Sequence, residues 1–207
     1  MRYFRNEGNS LIKRIFDILI ASTLLIVMSP IIFIVALLVR FNLGSPIFFR
    51  QNRPGLHGAI FQMIKFRTMK EITDINGELK EDSYRISRLG NFLRSFSLDE
   101  LPQLWNVIKG EMSIVGPRPL LTEYLPLYND TQKKRHDIKP GITGLTQISG
   151  RNALGWEDKF DLDIWYVDNH SLWLDVKILF LTVKKVLICE GITNKDSVTA
   201  EKFDGNK

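Results

Sequence analysis

The sequence predicts a mixed, helix-rich α/β protein with a small sheet, in which a membrane-seeking N-terminal segment carries a compact domain. Three observations predict it. Residues 18–39 form an uncharged apolar run of 22 residues. Residues 47–51 and 60–69 alternate as short strands do. Most remaining apolar residues recur at helical spacing, as in Leu101, Leu104, Trp105 and Ile108. The 207 residues leave room for one domain and an appendage, divided here as 1–40, 41–190 and a polar tail 191–207.

Composition narrows the chemistry. A net charge of +5 and a pI near 9.3 suit an anionic partner such as a membrane surface, nucleotide, phosphate or nucleic acid. The single cysteine, Cys189, excludes an internal disulfide and a cysteine zinc cage. P-loop, GxGxxG, HExxH and CxxC motifs are all missing, and the three histidines are scattered.

The apolar run 18–39 comes first. As one straight helix it would be about 33 Å long, against a hydrocarbon core of about 30 Å. No small-residue cleavage site follows it, which argues against a signal peptide. Ser29-Pro30 interrupts it midway, where proline removes a helical hydrogen bond and serine can satisfy the freed carbonyl. Each half is then about 17 Å, the depth of one leaflet. Arg2, Arg5, Lys13 and Arg14 precede the run, and Arg40, Arg50 and Arg53 follow it. That balance favours both ends on the cytoplasmic side. A kinked span and a re-entrant helix-break-helix both fit. Asp17 is expected to pair with Lys13 or Arg14.

Gly44-Ser45-Pro46 is a turn before the first strand, and Arg53-Pro54-Gly55 a second turn. In strand 60–69, Phe61, Met63, Lys65 and Arg67 share a face that is either a solvated edge or an anion-binding wall. Residues 71–82 read as a polar loop and 85–96 as a short basic helix. A third helix follows to Lys109-Gly110. Pro117 and Pro119 stiffen the backbone around Arg118, lowering the cost of holding its guanidinium on a phosphate or carboxylate. Residues 123–136 read as helical. The stretch 140–152, with three glycines and a terminal Arg151, suits either a loop against a ligand or a plain hairpin. Residues 156–168 and 172–188 read as helices. The second carries a stripe of Trp173, Val176, Phe180, Val183 and Leu187, fit for a core or for a membrane interface.

The centre of the pattern is 94–103, Arg94-Ser95-Phe96-Ser97-Leu98-Asp99-Glu100-Leu101-Pro102-Gln103. Two adjacent carboxylates open a helix, where the free N–H groups favour negative charge. Ser97 and Glu100 match a capping box. With Asp99 as the N-cap instead, Pro102 falls at the third helical position, which needs no N–H partner, and Asp99 is the preferred cap. Capping and catalysis both remain open on spacing alone.

Taken in order, these motifs resemble the bacterial sugar transferase family, the monotopic phosphoglycosyl transferases. The likeness runs from about residue 13 to 187. It rests on Ser29-Pro30, Gln51-Asn52-Arg53-Pro54-Gly55, Lys65-Phe66-Arg67-Thr68-Met69 and the 94–103 stretch. It continues in Gly116-Pro117-Arg118-Pro119, Lys139-Pro140-Gly141-Ile142-Thr143-Gly144 and Gly150-Arg151-Asn152. Tyr124-Leu125-Pro126-Leu127-Tyr128 and Glu201-Lys202-Phe203-Asp204-Gly205 look like the members that initiate bacterial N-linked protein glycosylation.

The resemblance implies transfer of a sugar 1-phosphate from a UDP-sugar to a polyprenyl (undecaprenyl) phosphate, with release of UMP. It implies an aspartyl-phosphosugar intermediate and Mg2+. By matching position, Asp99 is the nucleophile and a Mg2+ ligand, and Glu100 its acidic partner. Arg94 and Asp175 form a supporting pair, and Lys65, Arg118 and Arg151 line the anionic substrate site. Ser29-Pro30 implies a re-entrant hairpin in the bacterial inner membrane, with the catalytic domain 41–190 and its interfacial helices on the cytoplasmic face. For the glycosylation subset the implied donor is UDP-N,N′-diacetylbacillosamine. Arg67, where relatives often have lysine, and Thr146-Gln147-Ile148-Ser149 depart from the usual pattern and leave the donor open.

Two other classes make different predictions. A polytopic lipid-phosphate enzyme predicts several apolar spans, and this sequence has one. A nonenzymatic, membrane-tethered protein binding anionic ligands predicts a basic stripe with stacking aromatics. Here the arginines sit in glycine and proline motifs, so no nucleic-acid partner is expected. Oligomeric state is not encoded in any of these features.

Overall fold

The computed structural model describes residues 6–75, 77–150, 154–188 and 202–205. The first element, α1 (Asn6–Leu43), is a helix of 38 residues with Pro30 inside it. Pro30 has no N–H to give the Ile26 carbonyl, and the Ser29 hydroxyl donates to that same carbonyl at 2.8 Å. The expected break is therefore repaired by its own neighbour, and the helix continues through it.

Both halves of α1 dock on the rest of the chain, while large apolar residues between them, Ile26, Val27 and Ile31 included, are exposed. In the first half Ala21 joins a core with Val107, Met112, Ile114 and Ile178. Asp17 is buried and accepts from Lys13 Nζ at 2.9 Å, Ser113 Oγ at 3.0 Å and the Ile114 N–H at 3.1 Å. In the second half Val35 and Val39 pack with Phe66 and Leu93. Arg14 does not pair with Asp17; it donates to the carbonyls of Val107 at 2.5 Å and Ile108 at 2.6 Å, in the last turn of a helix, where a cation is favoured.

Strands β1 (Phe48–Pro54) and β2 (Ile60–Phe66) form an antiparallel hairpin that pairs Phe49 with Lys65 and Gln51 with Met63. The second strand stops short of the expected residue 69. Arg67 turns away instead and donates to the carbonyls of Leu43 and Ser45, tying the hairpin to the end of α1. Arg67 is thus a clasp on the end of the anchor helix. The basic helix expected over 85–96 is divided into α2 (Asp82–Arg85) and α3 (Arg88–Ser95), because the Ser87 hydroxyl caps α3 by accepting from the Gly90 N–H at 2.8 Å.

After a 3-10 turn at Leu98–Glu100 and the short helix α4 (Gln103–Lys109), β3 (Ser113–Val115) pairs in parallel with β4 (Gly141–Thr143). Two glycines of the 140–152 stretch, Gly141 and Gly144, serve this pairing together with Gly116. A side-chain carbon on Gly116 would sit 2.5 Å from the Lys139 carbonyl oxygen, and one on Gly141 would collide with the Gly116 amide. They admit backbone to backbone. The helix expected over 123–136 is three pieces: a 3-10 helix Thr122–Leu127 holding Pro126, then α5 (Asp130–Lys133) with an Asn129/Gln132 capping box, then a 3-10 turn Lys134–His136.

The chain ends with α6 (Leu145–Ser149), α7 (Trp156–Asn169) and α8 (Leu172–Ile188). On α8 the inward residues are Asp175 and Ile178. The Trp173–Leu187 stripe faces outward, with Trp173 79 % exposed. Of the tail, expected to be loosely ordered, residues 202–205 are described, and Phe203 is docked at 4 % exposure among Tyr124, Tyr128, Trp156 and Phe160.

Candidate active site

The site is built where α3 gives way to the 3-10 turn. Ser97 adopts φ 54°, a left-handed conformation that costs a non-glycine residue about 1 kcal/mol. The kink turns Leu98 onto the Phe66–Leu93 cluster and carries Asp99 inward, where it is 7 % exposed. Neither capping arrangement forms. Ser97 makes no side-chain cap, and α4 begins at Gln103, four residues after Asp99, with Pro102 as its N-cap. Both carboxylates are therefore free of helix duty.

Glu100 is held by two cations on one oxygen. Lys65 Nζ, from β2, lies 2.6 Å from Oε1, and Arg118 Nη2, from the proline-flanked loop, 3.0 Å from it. Lys65 thus belongs to the anion-binding wall rather than to a solvated edge. Burial alone would push the Glu100 carboxyl up, but Lys65 and Arg118 outweigh it and bring it down to about 2. Asp99 shows the opposite balance. Burial and the adjacent Glu100 charge raise it to about 6, against the weaker pull of Lys65, Arg94 and Arg118. The two neighbours titrate as a pair, with the proton residing on Asp99.

A small cleft of about 80 Å³ opens over Glu100, lined by Arg53, Lys65, Glu100, Gln103 and Arg118 with Met63, Pro119, Leu120, Gly141 and Ile142. Three cations there face one carboxylate, a surface for a multiply charged anion. Arg53 is the cleft residue that sequence reasoning passed over as a turn signal. Its Nη2 is braced by Gln51 Oε1 at 2.7 Å, and its Nε has no partner. Burial and the nearby Arg118 lower its pKa to about 10, which leaves it cationic at neutral pH. Its signal lay in strand register: residues 51, 53, 63 and 65 sit on the paired hairpin that forms the cleft's wall.

The expected pair of Arg94 and Asp175 is not made. Arg94 Nε donates to Thr68 Oγ1 at 3.1 Å and reaches Asp99 only through its field. Asp175 lies in the buried network under α1, where Tyr166 donates to it at 2.6 Å and Lys13 Nζ stands 3.1 Å away. α8 packs its first turn toward α1 and β3, so Asp175 supports the anchor helix. Arg151 lies outside the described residues. Ser29 and Pro30 lie in the exposed middle of α1.

Among the described residues no cluster of three or more side chains could cage a metal ion. The adjacent carboxylates still fit Mg2+, which takes one or two carboxylates and fills its octahedron with water and substrate phosphate. Asp99 and the Glu100 oxygen not held by Lys65 and Arg118 are the donors this site offers.

Residues 8–189 match the family described as bacterial sugar transferase. The chain is 55 % identical to the uncharacterized sugar transferase EpsL of Bacillus subtilis (strain 168), over 95 % of this chain and 97 % of that protein. It is 40 % identical to the exopolysaccharide production protein ExoY of Rhizobium meliloti (strain 1021), over 86 % of this chain and 87 % of that one. It is also 40 % identical to the UDP-glucose:undecaprenyl-phosphate glucose-1-phosphate transferase of Klebsiella pneumoniae, over 93 % of this chain but only 42 % of that larger protein.

Proposed function

The chain belongs to the bacterial sugar transferase family, and from that premise we propose that it transfers a sugar 1-phosphate from a UDP-sugar to polyprenyl phosphate. The observation that carries this reading is the dyad. One carboxylate, Glu100, lines a cationic cleft and is locked in its ionised form by two cations, and the next residue, Asp99, is buried, weakly acidic and without an ion-pair partner among the described residues. Such a neighbour is a nucleophile of raised basicity, and the cleft supplies preorganised positive charge for a diphosphate.

An Asp99 oxygen attacks the phosphorus that bears the sugar. The bond between that phosphorus and the bridging oxygen breaks, and UMP departs with the bond's electron pair. Arg53, Lys65 and Arg118 take up the charge that develops on the phosphate oxygens. In the second step an oxygen of polyprenyl phosphate attacks the same phosphorus and releases the Asp99 carboxylate. Mg2+, when held by the dyad, supplies charge neutralisation at the diphosphate. Glu100 stays ionised throughout, keeping Lys65 and Arg118 in place.

The topology belongs to the same proposal. Both halves of α1 dock on one domain, through Asp17 and Ala21 in the first and Val35 and Val39 in the second. A helix crossing the bilayer would carry one half to the far side, away from that domain. This supports a re-entrant insertion in the inner membrane, with the catalytic domain on the cytoplasmic face. Single cysteines at Asn9 and Asn42 in a Cys189→Ser background should then react with an impermeant maleimide from the same side of sealed vesicles. Labelling from opposite sides would establish a span.

The segments at 124–128 and 201–205 ally the chain with PglC-type initiators of N-linked glycosylation and point to UDP-N,N′-diacetylbacillosamine. Relatives named for glucose and galactose make those sugars the competing donors. Incubating the protein with Mg2+ and each of these UDP-sugars, without acceptor, should add the mass of one sugar phosphate for the true donor. Tight donor binding that never yields an adduct or UMP would favour the nonenzymatic anion-binding alternative.

A further inference from the structure

We propose that the turn Lys134–His136 is a positioning clamp for the two arginines of the cleft. Arg135 fixes the backbone at Arg118, and His136 fixes the end of β1, the strand that carries Arg53. The proposal rests on reading the cleft as the donor-diphosphate site.

Arg135 is 2 % exposed. Its Nη2 donates to the Arg118 carbonyl at 2.8 Å and to Asp163 Oδ2 at 2.6 Å. The other Asp163 oxygen accepts from the Thr146 hydroxyl at 2.6 Å. The next residue reaches the other segment. His136 Nδ1 lies 3.3 Å from the Gly55 carbonyl, and since a carbonyl only accepts, Nδ1 carries the proton. Gly55 stands two residues after Arg53. One three-residue turn therefore holds both cation-bearing segments, the Arg118 loop and the end of β1, each by a main-chain oxygen.

The Arg118 loop needs such a hold. The Arg118 side chain is 46 % exposed, so its direction depends on its backbone; Pro117 and Pro119 narrow that backbone's conformations, and the Arg135 bond fixes where the loop sits. Arg53 Nη1 touches the Pro119 carbonyl at 3.4 Å, so the two segments also bear on each other. A buried ion pair such as Arg135–Asp163 contributes little net stability compared with apolar residues of the same volume. Its value lies in geometry, and the geometry here ends on Arg118. Burial and the adjacent Arg135 lower the pKa of His136 to about 4, which keeps its imidazole neutral across the working pH range.

The test reads UDP affinity, with Mg2+, by calorimetry on the full-length protein in lipid nanodiscs, with Tm measured for every variant. Arg135→Lys keeps a cation for Asp163 but loses the fork, and should weaken UDP binding about 10-fold or more. In an Arg118→Ala background the same change should alter affinity by less than about 2-fold, since the residue it positions is gone. Losses that multiply in the double variant, or wild-type affinity in Arg135→Lys, would overturn the clamp. His136→Asn retains an N–H near the Nδ1 position and should bind UDP as wild type does, whereas His136→Phe should not. Equal losses in those two would also overturn it, and they decide the matter if Arg135→Lys fails to fold. A wild-type protein without affinity for UDP would overturn the cleft assignment and the clamp together; wild-type binding with multiplying losses would overturn the clamp alone.

Discussion

Asp99→Asn should abolish turnover, by about 10⁴-fold or more, and remove the sugar-phosphate adduct from the mass spectrum. Asparagine keeps the size of the side chain but cannot attack phosphorus. The same variant should be more stable than wild type at pH 7.5. The carboxyl at position 99 is raised in the folded protein from 3.8 to about 6, by burial first and by Glu100 second. A raised folded-state value means that its stability contribution is complete below the unfolded value and is lost as pH climbs through about 6. Wild type at pH 7.5 therefore bears the full cost of an ionised, buried Asp99. Removing it should contribute on the order of 1–3 kcal/mol, seen as a Tm rise of about 2–8 °C. A dead enzyme that melts higher is the expected pairing. An adduct on the asparagine variant would sink the assignment of the nucleophile.

The second large effect is expected from Lys65→Met. The first transfer needs an ionised Asp99, so kcat/KM for UMP release in wild type should rise with pH through about 6 and level off above it. Lys65 holds Glu100 at 2.6 Å and lowers the Asp99 pKa as well. Without it Arg118 still keeps Glu100 ionised, so Asp99 loses a favourable charge and retains an unfavourable one. The rising limb should move up by about one pH unit. At pH 7 the rate should fall about 10²–10³-fold, because a cation is also lost from the cleft. Raising the pH should recover part of the loss. A uniform fall with an unmoved limb would show that Lys65 acts on the donor alone and that the electrostatic account of the dyad is wrong.

What the sequence made legible follows from how local each feature is. Asp99 and Glu100 are neighbours, and Arg118 is framed by its own prolines, so their prominence could be read from short windows. Strand alternation put Lys65 on a face that was either a solvated edge or an anion-binding wall, and its pairing with Glu100 decides for the wall. The Ser29 bond to Ile26 was readable because proline orphans a carbonyl at a fixed distance along the same helix. Pairings between distant segments were not readable. Arg94 and Asp175 carry opposite charges, but α8 delivers Asp175 to Lys13 and Tyr166, in contacts that no spacing along the chain reveals. Arg67 looked like a partner of Lys65, yet the strand ends between them and Arg67 goes to the end of α1. Phe203 escaped because a polar tail hides one ring, and the cage that receives it comes from residues 124–160.

The crossing of Gly116 over 139–144 sets a limit on how this protein can diverge. Even alanine at position 116 or 141 would press on main chain, which cannot step aside as a side chain can. A side chain at either position would therefore part β3 from β4 and disturb the loop after β3, which carries Arg118 into the cleft.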